Sequence, residues 1–83
     1  MRMIKKTTIY GYRGYLMEYK GVQFIIWKSD ANKRGWYVNN ASEWYFSDGI
    51  LPYDYCSKID CKIAMQNIID KTLSDYEAAT KTI

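Results

Sequence analysis

Residues Gly14 to Trp27 constrain this chain more than any other stretch. With Lys20-Gly21 as a two-residue turn, Tyr19 faces Val22, Met17 faces Phe24 and Tyr15 faces Ile26, while Glu18 meets Gln23 and Leu16 meets Ile25. The first three pairs make an apolar inward face. The second face mixes polar groups with Leu16, Ile25 and Trp27, more apolar surface than one small core requires. The pattern therefore predicts a hairpin with a side that needs a cover. Its outer side keeps aromatic and aliphatic area in water, where a partner can meet it.

The cover for the inward side is written nearer the C-terminus. Ser57 and Asp60 have capping-box spacing, and Cys56 and Cys61 occupy the two positions of a hydrophobic staple, which sets the N-cap at Ser57. From there Cys61, Ala64, Met65, Ile68, Ile69, Leu73 and Tyr76 recur at three- and four-residue spacing as one apolar stripe. The spacing predicts a helix over about 58–79. Between hairpin and helix, Trp36-Tyr37-Val38 resumes the sheet, Asn39-Asn40-Ala41-Ser42 breaks it, and Glu43-Trp44-Tyr45-Phe46 forms a last short strand before Pro52 blocks pairing. The expected fold is α+β: a small antiparallel sheet of three to four strands, about 9–47, packed against one C-terminal α-helix. The basic start, 1–8, is expected to be mobile.

At 83 residues the chain is one domain, and a domain of this size buries only about 60–65% of the surface its unfolded form exposes. Aromatic residues make up 17%, nine Tyr against two Phe, and a phenol can lie half in water with its hydroxyl solvated. No apolar run succeeds the basic start, as a secretion signal requires, and no stretch approaches about 18 apolar residues, so no membrane span is expected. A soluble, cytoplasmic protein is the expectation. Two cysteines do not make a secreted disulfide scaffold, and Cys56 and Cys61 are read as reduced thiols packed at the helix start, although a link between them is geometrically open.

Charge separates the two ends of the chain. Through Gly35 eight Lys or Arg stand against Glu18 and Asp30, a net of +6; the remainder has four bases and seven acids, a net of −3. The sheet end is thus the basic end, which favours phosphate backbones or acidic protein patches.

Catalytic constellations are scarce. The absence of histidine removes Ser-His and Cys-His catalysis, and two cysteines without histidine fall short of a structural zinc site. No glycine-rich phosphate loop occurs, and the acids of the helix region lack the loop pattern of a calcium site. No cofactor or metal is expected. Binding is the better reading. Neighbours in a strand alternate faces, so Trp36 or Tyr37, and Trp44 or Tyr45, must look outward. There they cover one another, close a homodimer, or form a recognition patch. The candidate patch is Arg13, Trp27, Lys28, Lys33, Arg34, Trp36, Tyr37, Trp44 and Tyr45, since Trp, Tyr and Arg most often dominate interface energy.

The run Gly14-Tyr15-Leu16-Met17-Glu18-Tyr19-Lys20-Gly21, then Gly35-Trp36-Tyr37-Val38, then a capped helix with Ala64 and Ile68-Ile69-Asp70, resembles small sheet-then-helix proteins of bacteriophages and other mobile elements. Anti-CRISPR and related anti-defence inhibitors belong to this type. The resemblance implies a stoichiometric, non-enzymatic inhibitor that blocks a host protein or ribonucleoprotein complex, and it carries over no functional residue. Arm-type DNA-binding domains of phage integrases are similar in their three-stranded sheet on a helix. This sheet is more aromatic than basic and no recombinase portion succeeds it. Nucleic acid binding by a basic aromatic sheet face is the alternative expectation.

Overall fold

The computed structural model describes residues 1–28, 35–42, 46–51 and 57–81, with side chains through Ala79. It is an α+β fold in which five antiparallel strands run in the order of the chain. These are β1 (Arg2–Ile9), β2 (Tyr12–Tyr19), β3 (Val22–Trp27), β4 (Tyr37–Asn40) and β5 (Gly49–Ile50), then the helix α1 (Lys58–Lys81).

Two tight turns set the register. Lys20 and Gly21 have φ of 51° and 79°, and Tyr10 and Gly11 have φ of 51° and 81°, so both loops place two consecutive residues in the left-handed region. This geometry matches the right-handed twist of the flanking strands. The β2–β3 pairs are those the sequence predicts, from Tyr19 with Val22 to Tyr15 with Ile26, and Gly14 with Trp27 extends them.

The first turn overturns one expectation. The basic start is not a mobile lead-in but β1, paired with β2 from Arg2–Glu18 to Ile9–Tyr12 with one register shift between Met3 and Lys5. The sheet therefore has five strands rather than three or four. Asn39 and Asn40, expected to break the sheet, instead complete β4 opposite Ile25 and Phe24. Asn40 also organises the loop after β4: its Nδ2 donates to the Phe46 carbonyl and to Asp48 Oδ1 (3.1 Å), and its Oδ1 accepts from Phe46 N–H (3.2 Å). Those bonds hold Phe46 against the core outside any strand, and the last pairing falls to Gly49–Ile50. The remainder of the expected strand, 43–45, lies outside the described residues, as does Cys56.

The helix begins as predicted. Ser57 Oγ accepts from the Asp60 N–H (3.2 Å) and Asp60 Oδ2 accepts from the Ser57 N–H (3.1 Å), a reciprocal cap with Asp in the role usually taken by Glu. Cys61, Ala64, Met65 and Ile69 are buried against Met17, Val22, Phe24, Ile26, Val38, Phe46 and Leu51. Tyr76 is a correction: it continues the stripe but is 58% exposed. The reason is length. A 24-residue helix spans about 36 Å, whereas an eight-residue strand spans about 26 Å. The helix starts over Tyr15, reaches the Lys20-Gly21 turn at Asp70, and then overruns the sheet. Among the described residues no helix is long and apolar enough to cross a membrane.

Where the helix meets that turn, Lys20 Nζ lies 2.7 Å from Asp70 Oδ1, and the Tyr19 hydroxyl donates to the same carboxylate at 3.1 Å. The hydrogen bond from Lys20 holds the Asp70 carboxyl below its ordinary range, against the opposing effect of desolvation, and the same bond raises Lys20. An acid depressed on folding contributes stability above its unfolded pKa and loses it as pH falls through the folded value. A raised lysine contributes below its unfolded pKa and loses it as pH rises through the folded one. The clamp is therefore complete between these limits, around neutrality, and small because both groups are wet. Carbon-detected NMR should show the Asp70 carboxyl titrating below ordinary aspartates and moving back up in Lys20→Met; an unmoved midpoint would contradict the clamp.

Candidate interaction surface

Offsetting the helix toward the Lys20-Gly21 turn leaves the opposite end of the sheet uncovered. Alternation places Lys6, Thr8, Arg13 and Tyr15 on the helix side of β1 and β2, but only Tyr15 lies under the helix, with Lys58 Nζ 3.6 Å from its ring centroid. Lys6, Thr8 and Arg13 are exposed. They line, with Thr7, Gly14 and Tyr15, a cleft of about 360 Å³. A second cleft of about 420 Å³ is walled by Gly11, Tyr12, Arg13 and Lys28. Arg13 borders both.

Ion pairing separates this end from the rest. Arg2 is tied to Glu18 at 3.0 Å and Lys20 to Asp70 at 2.7 Å. Among the described residues Lys5, Lys6, Arg13 and Lys28 form no ion pair. Among the described residues no acid offsets their field, which extends to about a Debye length, roughly 8–10 Å.

The other predicted residues divide. Trp27 points outward, as alternation requires, but it is only 8% exposed. Tyr37 stacks on it at 4.6 Å and Tyr12 at 5.6 Å, Tyr10 meets it edge-on at 5.6 Å, and its Nε1–H donates to Asn39 Oδ1 at 2.6 Å. Gly14 makes room for it: a Cβ there would lie 3.3 Å from Trp27 Cβ and 3.1 Å from Ile25 Cγ2. Trp27 thus closes a small aromatic core on the outer face. Trp36 lies on the helix side, half-buried, 6.2 Å from the Tyr15 ring. Arg13 and Lys28 come together at one end, with the Trp27–Tyr37 stack joined to them through Tyr12. Lys33, Arg34, Trp44 and Tyr45 lie outside the described residues.

The structure adds Lys6, Thr8 and Tyr10 to this end. Tyr10, 73% exposed at the tip of the first turn, had a readable signal: Tyr10-Gly11 repeats the residue-then-glycine form of Lys20-Gly21. No group of three or more His, Cys, Asp or Glu is placed to hold a metal ion among the described residues. What the arrangement offers is fixed positive charge beside aromatic rings on a rigid sheet, suited to recognising an anion. No protein family, curated protein or solved structure matches the chain.

Proposed function

We propose that this is a non-catalytic binding protein of the kind phages and mobile elements use as inhibitors. Its basic end seats against an acidic surface of a host defence or nucleic-acid-handling complex and blocks that surface by occupancy. The supporting observation is the cluster of Lys6, Arg13 and Lys28 at one end of the sheet, without ion pairs among the described residues and joined through Tyr12 to the Trp27–Tyr37 stack. Arginine backed by aromatic residues is the usual make-up of an interface hot spot, and uncompensated charge speeds encounter with an acidic partner.

The test is affinity capture from host lysate with and without nuclease, using the parent protein and Arg13→Glu/Lys28→Glu. One protein complex should be recovered after nuclease treatment, and the double variant, folded by circular dichroism, should lose about 2 kcal/mol or more of binding. Equal capture by both would end the proposal. Tyr10 favours a second reading, since a ring that exposed at the tip of the first turn can stack on an unpaired base. A single-strand binder that neutralises three phosphates would show a log–log salt slope of about −2. A basic end on an acidic protein surface is salt-dependent as well, so the nuclease arm of the capture experiment separates the two readings.

A further inference from the structure

The border of the sheet next to the basic end has unused pairing capacity. Residues flanking a two-residue turn of this type form a hydrogen-bonded pair, and bonded pairs then alternate along the ladder. Ile9 pairs with Tyr12 across the first turn and Thr7 with Gly14 beyond it, so Ile9, Thr7 and Lys5 direct their backbone groups at β2. Thr8 and Lys6 direct theirs away. The same rule holds visibly at the next hairpin: Val22 flanks its turn, and the next residue, Gln23, turns outward to accept from Ala41 N–H (3.0 Å) and donate to Ser42 Oγ (3.1 Å). Because β1 ends the strand order, the N–H and C=O groups of Lys6 and Thr8 face solvent.

Side chains determine what this border accepts. β1 carries Arg2, Lys5 and Lys6 and no acid; Arg2 is occupied by Glu18, while Lys5 projects to the outer face and Lys6 to the cleft beside Arg13. A second copy of β1 laid alongside would set lysine against lysine, which is how edges are protected from self-pairing. An acidic strand meets a cation on each of its two faces. Past the register shift, Met3 (44% exposed) and Ile4 (36%) give the far end of the border an apolar contact.

We propose that β1 receives an extended acidic segment of the partner protein as an added strand, paired to the backbone of Lys6 and Thr8, with its carboxylates held by Lys6 and Arg13 on one face and Lys5 on the other. The inference rests on the acidic-partner reading and gives it a binding mode: main-chain pairing for affinity, alternating side chains for selectivity.

The experiment uses a fluorescent synthetic peptide that repeats Glu-Glu-Val-Val, which as a strand carries carboxylates on both faces, the same peptide N-methylated along its backbone, and a single-stranded oligonucleotide as competitor. The parent peptide should bind, slowing hydrogen exchange at the Lys6 and Thr8 amides, and the methylated one should bind at least about tenfold more weakly. Thr8→Pro removes one outward N–H without changing charge and should weaken the parent peptide similarly. Should Thr8→Pro fail to fold, the exchange pattern of the unmodified protein decides alone. Equal binding of both peptides, lost only with Arg13→Glu, would overturn strand addition while leaving the acidic-partner reading intact. Binding by neither peptide also overturns strand addition, and the capture experiment then decides the reading beneath it. Displacement of the peptide by a tighter, steeply salt-dependent oligonucleotide overturns it in favour of nucleic acid.

Discussion

Trp27→Ala is expected to cost about 3–5 kcal/mol of folding stability, the range for removing a buried aromatic side chain. The residue sits on the outer sheet face, where a tryptophan is easily taken for a binding anchor. Its surroundings assign it otherwise. Tyr12 and Tyr37 both stack on the ring, Tyr10 meets its edge, and Asn39 accepts its only polar hydrogen. Truncation leaves three tyrosines around a void and a half-buried amide oxygen without its donor. For a chain of this size total stability is about 4–12 kcal/mol, so the loss is a large fraction of the whole. Urea denaturation measures it. A midpoint unchanged from the parent would mean that the rings do not form a second core, and would return Trp27 to the set of free contact residues.

A larger effect is expected from Ile69→Asp, which should leave no folded population at neutral pH. Ile69 is 1% exposed and packs with Val22, Phe46 and Leu73 in the layer between sheet and helix. An aspartate there loses the buried side chain and must either remain charged in an apolar site or take up a proton to enter it. The penalties sum to several kcal/mol, comparable with the entire stability of so small a domain. Ile63→Asp is the control: the same substitution on the same helix, at a position 47% exposed, should stay folded. Far-UV circular dichroism and the dispersion of methyl NMR signals distinguish the two. A cooperative melt for Ile69→Asp would show that the helix face is misassigned.

The parts of this fold that are legible in sequence are those where a local signal and a burial requirement agree. The hairpin register comes from one turn and two alternating strands, and the helix start from Ser57 and Asp60. β1 is hidden because it buries almost nothing: Lys5, Lys6, Thr7 and Thr8 show no apolar alternation, and the strand is held by its ladder to β2 and by the Tyr10-Gly11 turn. Asn40 reads as a breaker by residue type, and only its contacts with Phe46 and Asp48 show that it secures the loop after β4. Tyr76 keeps the helical period after the sheet has ended, so periodicity alone overstates the stripe.

The candidate surface is half readable for a related reason. Arg13 and Lys28 stand out by type, and β2 and β3 bring them to one end. Alternation correctly sends Trp27 outward, but the rings that enclose it come from neighbouring strands and from the first turn. Lys6 and Thr8 join the site because β1 is the edge strand and lies outside the cover of the helix, where even Met3, paired with the buried Met17, is exposed; no single stretch of sequence records that placement.

Among the described residues the sheet's two borders are unequal, eight residues of β1 against two of β5. Ribbon growth requires an adhesive margin on both sides of every subunit, so that each addition exposes a fresh template for the next. A molecule with one usable margin saturates after a single guest. If the partner strand adds at β1, association by that route is finite, because among the described residues the β5 border is too short to template a further addition.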